Sequence, residues 1–238
     1  MRSPLFLSPH LKTCSVSVYT FLNEVKKVYT RTHKHRHRMK NLSCPKARKS
    51  MRANLRHWWS EATDAEREHG RSWYAEAQDF AKQLSQEFNV SREVAAGVVS
   101  ALSPNNRWER NKVDAKAVLR AVRDGVECAD VKVCTYDANK RKAFEIAKGN
   151  QRILRQSPKT YAFARNVGER DEDFVTIDKW HLRACQTTAK SPRKCREACT
   201  PRQYELLQSD CLAVAREMGV SGHVLQATIW VAIRNRWS

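Results

Sequence analysis

Lys159 and Asp178 are the two residues whose types and spacing could do the most chemistry. They lie nineteen residues apart in SPKTYAFARNVGERDEDFVTIDKWHLRAC, residues 157–185. A neutral amine is a nucleophile toward an electron-poor carbon, and a carboxylate can steady the cation that develops there. The pair therefore suits Schiff-base chemistry. Ser157-Pro158 opens a helix well, because proline at the first helical position loses no needed hydrogen bond. The run FVTI is short and β-branched, and Asp178 then reads as the N-cap of KWHLRACQ. An amine near one helix start and a carboxylate at the next can converge on one cleft. The same residues also admit a structural reading, with Asp178 only a cap and Lys159 only a surface cation. Spacing alone leaves both open.

The elements that must position this pair are helical. A basic helix is predicted from Pro45 to Trp58-Trp59, followed by a Thr63/Glu66 capping box and a helix that stops at Gly70. Trp73, Ala77, Phe80, Ala81, Leu84 and Phe88 recur at helical spacing, and Ser91 caps REVAAGVVSAL, which is apolar nearly all round and so central. Pro104 stops that helix in the loop SPNNRWERN. There Arg107, Trp108 and Arg110 offer stacking and phosphate contact, while Asn105 tolerates a turn. For Trp108 the preferred reading is a core anchor, while Asn105 reads equally as a plain turn former. Further helices are expected near 110–123, 137–148 and 201–218, closed by Gly125, Gly149 and Gly219, before a last helix GHVLQATIWVAIRNRW. The whole predicts an all-α fold of eight to ten helices, with a cleft between the 92–123 helices and the 157–186 pair.

Charge narrows the partners. The 238 residues carry a net +19, of which residues 1–52 hold +12 with Glu24 their single acid, and the rest hold +7. Such a balance favours a polyanion, most simply double-stranded DNA, through phosphate neutralisation. A solvated basic tail with no specific task is the alternative, and Met39 and Met51 are in-frame alternative starts. The same Arg-rich, acid-poor composition also describes a transit peptide, but nothing else points to an organelle, and a cytoplasmic protein is expected. No run of eighteen apolar residues exists, so no membrane span is expected.

Eight cysteines raise the question of a metal. Cys185, Cys195, Cys199 and Cys211 are the closest group, but no paired CxxC occurs, and reduced thiols are the default expectation. Neither an iron–sulfur cluster nor zinc is expected. His33, His35 and His37 alternate within HKHRHR, where flanking cations favour nucleic-acid contact over a metal.

Several ordered motifs resemble the helix-hairpin-helix DNA glycosylases, the superfamily that includes endonuclease III. Lys159-Thr160 matches the step after the family's hairpin, and Val175-Thr176-Ile177-Asp178 followed by Arg183 matches its apolar run, aspartate and arginine. Upstream, Leu102, Ser103 and Asn105 match a Leu-Ser step and a polar residue that enters the DNA. The likeness covers about residues 92–190 and suggests a reduced, phage-type member. It departs from the pattern in the hairpin, where LRQSPK carries no glycine, and at Trp180, where the family often has histidine.

The resemblance implies a helical glycosylase-like domain over residues 45–238, behind a basic, poorly ordered arm over 1–44. It implies a monomer that acts on a base extruded from DNA. The activity implied is N-glycosidic cleavage with AP-lyase chemistry, Lys159 as nucleophile and Asp178 as stabilising carboxylate. Trp180 or Trp108 would stack on the base and Asn105 would fill its gap. Arg107, Arg110, Arg183 and the Arg193-Lys194-Arg196 turn would contact phosphates. Two alternatives remain: a non-catalytic phage DNA-binding protein, and a base-modifying or nucleotide-processing enzyme on the same fold.

Overall fold

The computed structural model describes residues 42–168, 174–189 and 195–237. Its helices are α1 (Pro45–Glu61), α2 (Asp64–Phe88), α3 (Arg92–Leu102), α4 (Trp108–Arg123), α5 (Asp137–Ala147), α6 (Pro158–Gly168), α7 (Lys179–Gln186), α8 (Pro201–Glu217) and α9 (Gly222–Trp237), with 3-10 turns at Cys128–Asp130 and Gln151–Gln156. The described residues include no strand, so the fold is all-α.

Most boundaries follow from local chemistry. The Thr63 hydroxyl accepts from the Glu66 amide at 3.2 Å, and the Glu66 carboxylate accepts from the Thr63 amide at 2.9 Å, which closes the capping box of α2. Ser91 caps α3 in the same way through the Val94 amide. Every residue of α3 from Val94 to Leu102 is buried, as its all-round apolar character requires.

The expected helix end at Gly70 is a correction, because α2 runs straight through it. A Cβ on Gly70 would stand 2.2 Å from Thr228 Oγ1 and 2.7 Å from the Thr228 backbone of α9. This glycine serves a close helix crossing, not a stop. The actual end of α2 is Asn89, left-handed at φ 51°.

Two hydrophobic clusters build the compact unit that spans Asn41–Ser238. One gathers the second half of α2 with α3, α4, α5 and α6 around Leu84, Val98, Leu102 and Phe144. The other gathers α1, α7, α8 and α9 around Leu55, Leu182, Leu207 and Ile229. The α2–α9 crossing joins them. Leu42 is buried in the second cluster, so the packed part of the chain includes residues before the expected boundary at Pro45.

Residues 174–178 lead into α7 outside any helix or strand. Their buried polar backbone is satisfied by side chains of α8 instead. The Val175 amide donates to Gln208 Oε1 at 3.1 Å, the Ile177 amide donates to the Tyr204 hydroxyl at 3.1 Å, and that hydroxyl donates to the Val175 carbonyl at 2.8 Å. Among the described residues no helix is long and apolar enough to cross a membrane.

Candidate active site

A cleft of about 610 Å³ opens between the two clusters. One wall is the turn after α3, Ser103 to Asn106, with the start of α6 at Ser157 to Lys159; the facing wall is Thr176 to Leu182. Residues of α2, α8 and α9 complete it. Lys159 and Asp178 both line this space, so the two residues singled out from spacing do converge. Each is half-buried.

Asp178 also caps α7, with Oδ1 accepting from the His181 amide at 2.8 Å. The two readings of this residue are therefore compatible. One oxygen holds the helix start, and the same residue lines the cleft.

Beneath the cleft lies a buried polar network that joins both clusters. The Tyr74 hydroxyl donates to Gln226 Oε1 at 2.8 Å and lies 3.0 Å from Thr176 Oγ1. Asn166 donates to the same Thr176 hydroxyl at 3.1 Å, and Gln78 donates to the Asn166 carbonyl at 2.9 Å. Burial pushes the Tyr74 phenol well above its ordinary pKa; its bonds to Thr176 and Asn166 oppose this, and the charge of Asp178 adds to it. Tyr74 is thus a neutral hydrogen-bonding group within reach of the Asp178 charge.

The turn after α3 is held by a second buried carboxylate. Asp114, fully buried on α4, accepts from Arg110 at 2.8 Å, from Asn106 at 2.9 Å and from the Cys134 amide at 2.8 Å. That knot sets Asn105 at the cleft edge in the left-handed region, at φ 59°. Asn105 is exposed and donates to the Tyr136 hydroxyl at 3.0 Å.

The remaining sequence-derived residues divide. Trp180 lines the cleft, with the guanidinium groups of Arg183 and Arg234 4.9 and 5.0 Å from its ring centre. Trp108 packs inward against Trp73 and Phe80 at 5.5 and 6.0 Å, the core-anchor reading, and does not line the cleft. Arg110 is occupied by Asp114, and Arg183 by Glu197. Arg107 is exposed beside α4. Arg196 is half-buried, its backbone bracketed by the Gln186 side chain at 3.0 and 3.1 Å. Arg193 and Lys194 lie outside the described residues.

Residues 37–237 match the profile of a family of unknown function, DUF7178. The chain belongs to that family. No curated protein and no solved structure matches it.

For this DUF7178 member, sequence reasoning missed the part of the cleft that α9 and α2 supply. Trp230 and Arg234 of α9 enter the cleft, and Arg234 lies 5.4 Å from the Trp230 ring centre, one helical turn away. Their i,i+4 spacing was visible, but which face of α9 turns to the cleft depends on the crossing with α2. Gln226 was a further signal, a lone amide on the apolar part of α9. Its partner Tyr74 lies 152 positions away, beyond the reach of any local pattern.

Proposed function

We propose that this protein binds DNA and cleaves the N-glycosidic bond of a base turned out of the helix, with Asp178 and Lys159 as the reacting pair. The observation that carries the reading is the convergence of Lys159 and Asp178, from two separate helix starts, on one aromatic-lined cleft. Its volume of about 610 Å³ falls within the range of pockets that enclose small molecules, so a nucleobase with its sugar can enter. Trp73, Trp230 and Trp180 give the cleft an aromatic lining suited to a base, and Lys179 and Arg234 add cations to that lining beside the Trp180 ring.

In the reaction, the Lys159 side chain gives a proton to solvent and its nitrogen lone pair attacks the sugar C1′. The N–C1′ bond forms as the bond to the base breaks; the base leaves with that electron pair and takes a proton from solvent. The carboxylate of Asp178 lowers the energy of the positive charge that builds on the sugar while the old bond is largely broken and the new one incomplete. The attached nitrogen then gives a proton to the ring oxygen as the C1′–O4′ bond breaks, which leaves a Schiff base; loss of a C2′ proton to solvent expels the 3′ phosphate by β-elimination and cuts the strand. Asn105, exposed at the cleft edge, would leave its bond to Tyr136 and fill the space left in the helix.

Borohydride trapping on duplexes that carry abasic, damaged or hypermodified sites tests the assignment. A covalent adduct is expected with the native chain and none with Lys159→Ala. Base release without trapping, lost only in Asp178→Asn, would move the nucleophile from Lys159 to water. Neither product on any substrate, with DNA binding intact, would leave a binding protein that acts without bond cleavage.

A further inference from the structure

Behind the cleft wall, α7 and α8 bring three soft donors together. His181 and Cys185 sit one turn apart on α7, and Cys211 faces them from α8; all three are fully buried. His181 Nε2 lies 3.1 Å from Cys211 Sγ, and the three donor atoms lie within 4.8 Å of one another. Bonds of about 2.3 Å to sulfur and about 2.0–2.1 Å to nitrogen put the edges of a tetrahedral zinc site near 3.5–3.8 Å, so small side-chain shifts suffice. We propose that His181, Cys185 and Cys211 bind a zinc ion, with Cys199, which lies outside that close group, swinging in as the fourth ligand.

The chemistry of the donors selects the metal. Two or three thiolates with one imidazole suit a borderline-soft ion and disfavour magnesium or calcium, which take oxygen ligands. Buried thiols alone are ordinary small apolar groups, but here an imidazole is enclosed with them and its Nδ1 has no hydrogen-bond partner. Coordination through either ring nitrogen draws that imidazole into a defined role. Cys199 is half-buried, packs against the same cluster, and sits in the segment that leads into α8. Zinc takes cysteine sulfur as thiolate, so uptake of the ion releases the thiol protons.

The consequence reaches the cleft. α7 spans only Lys179–Gln186, and its first residue follows Asp178. An ion that ties both turns of α7 to α8 would fix the orientation of the aspartate and of Trp180, while Cys199 itself lines the cleft. The site stands independently of what the cleft does. It was hidden in the sequence because its spacing, His-x3-Cys with two distant cysteines, contains no close cysteine pair.

Elemental analysis of the purified full chain tests this. The expected result is one zinc per chain, and cobalt(II) exchange should give thiolate charge-transfer absorbance with tetrahedral visible bands. Cys211→Ser should abolish both, whereas Cys128→Ser and Cys134→Ser should keep them. Because Cys211 is buried, its variant could unfold, so the native chain is also treated with a chelator. Its melting temperature should fall, and Cys185 and Cys211 should become reactive to a thiol reagent. Cys199→Ser should weaken binding at least tenfold; unchanged affinity would overturn its place as fourth ligand. A folded native chain that takes up neither zinc nor cobalt, or one with a resting Cys185–Cys211 disulfide, would overturn the site.

Discussion

One oxygen of Asp178 caps α7, and asparagine accepts that bond as well as aspartate does. Substitution therefore separates the cap from the charge. Asp178→Asn is expected to change unfolding free energy by less than about 0.5 kcal/mol, whereas Asp178→Ala should cost about 1 kcal/mol. Both should lower base release by about 100-fold or more, since neither leaves a carboxylate for the sugar cation. Denaturant melts run beside activity assays read the two effects apart. An Asn variant as active as the native chain would reduce Asp178 to its capping role. Lys159 and Asp178 were legible in the sequence because prolines, caps and short apolar runs are local signals. Trp73, Tyr74, Gln226 and Arg234 were not, because they reach the cleft through packing between segments far apart in the chain. Trp108 shows the limit of residue type as a guide: an indole in a polar loop offered stacking, and core packing took it instead.

Among the elements, α2 and α9 carry the connection between the two clusters, and the site depends on their crossing. Gly70→Ala would drive a methyl group into the Thr228 backbone, which cannot yield without separating the helices. A loss of about 1–3 kcal/mol is expected, read as a lower melting temperature, although alanine is the better helix former. Propensity and glycine position point to a helix end here; tertiary packing reverses that meaning. The far end of the same pair is held by Glu66, which accepts from Arg236 at 2.9 Å and Asn235 at 3.0 Å. Burial alone would raise the Glu66 carboxyl, but bonds from Arg236, the Thr63 amide and Asn235 outweigh it and hold it below the usual glutamate range. A lowered folded-state value means that the native state favours the carboxylate. Its stabilisation is present above the ordinary glutamate range and is lost as pH falls through the lowered value. The native chain should therefore exceed Glu66→Gln in stability at neutral pH, and the gap should close in acid. Paired thermal melts across pH check this.

At the scale of the whole molecule, charge is concentrated toward the N-terminus, where residues 1–52 hold +12 of the net +19. Removal of residues 1–41 keeps every described core residue from Leu42 onward, and it is expected to leave the melting temperature nearly unchanged. The same deletion removes nine Lys and Arg side chains against the single acid Glu24. DNA affinity should fall, and the slope of log affinity against log salt should become shallower by about 0.9 for each phosphate that the arm neutralises. Equal affinity and slope in both forms would free the arm of any role in binding. The all-α class was readable because capping boxes, prolines and apolar periodicity agree along nearly the whole chain. The two-cluster arrangement was not, since it rests on α1 reaching α7 and α8 across more than a hundred residues. The central claim is bond cleavage in the cleft, and its most direct measurement is free base released from a duplex panel of damaged and modified bases, detected by mass spectrometry. The native chain is predicted to release at least one base, and Asp178→Asn at least about 100-fold less. Intact bases in every duplex, under conditions where the duplexes are bound, would contradict it.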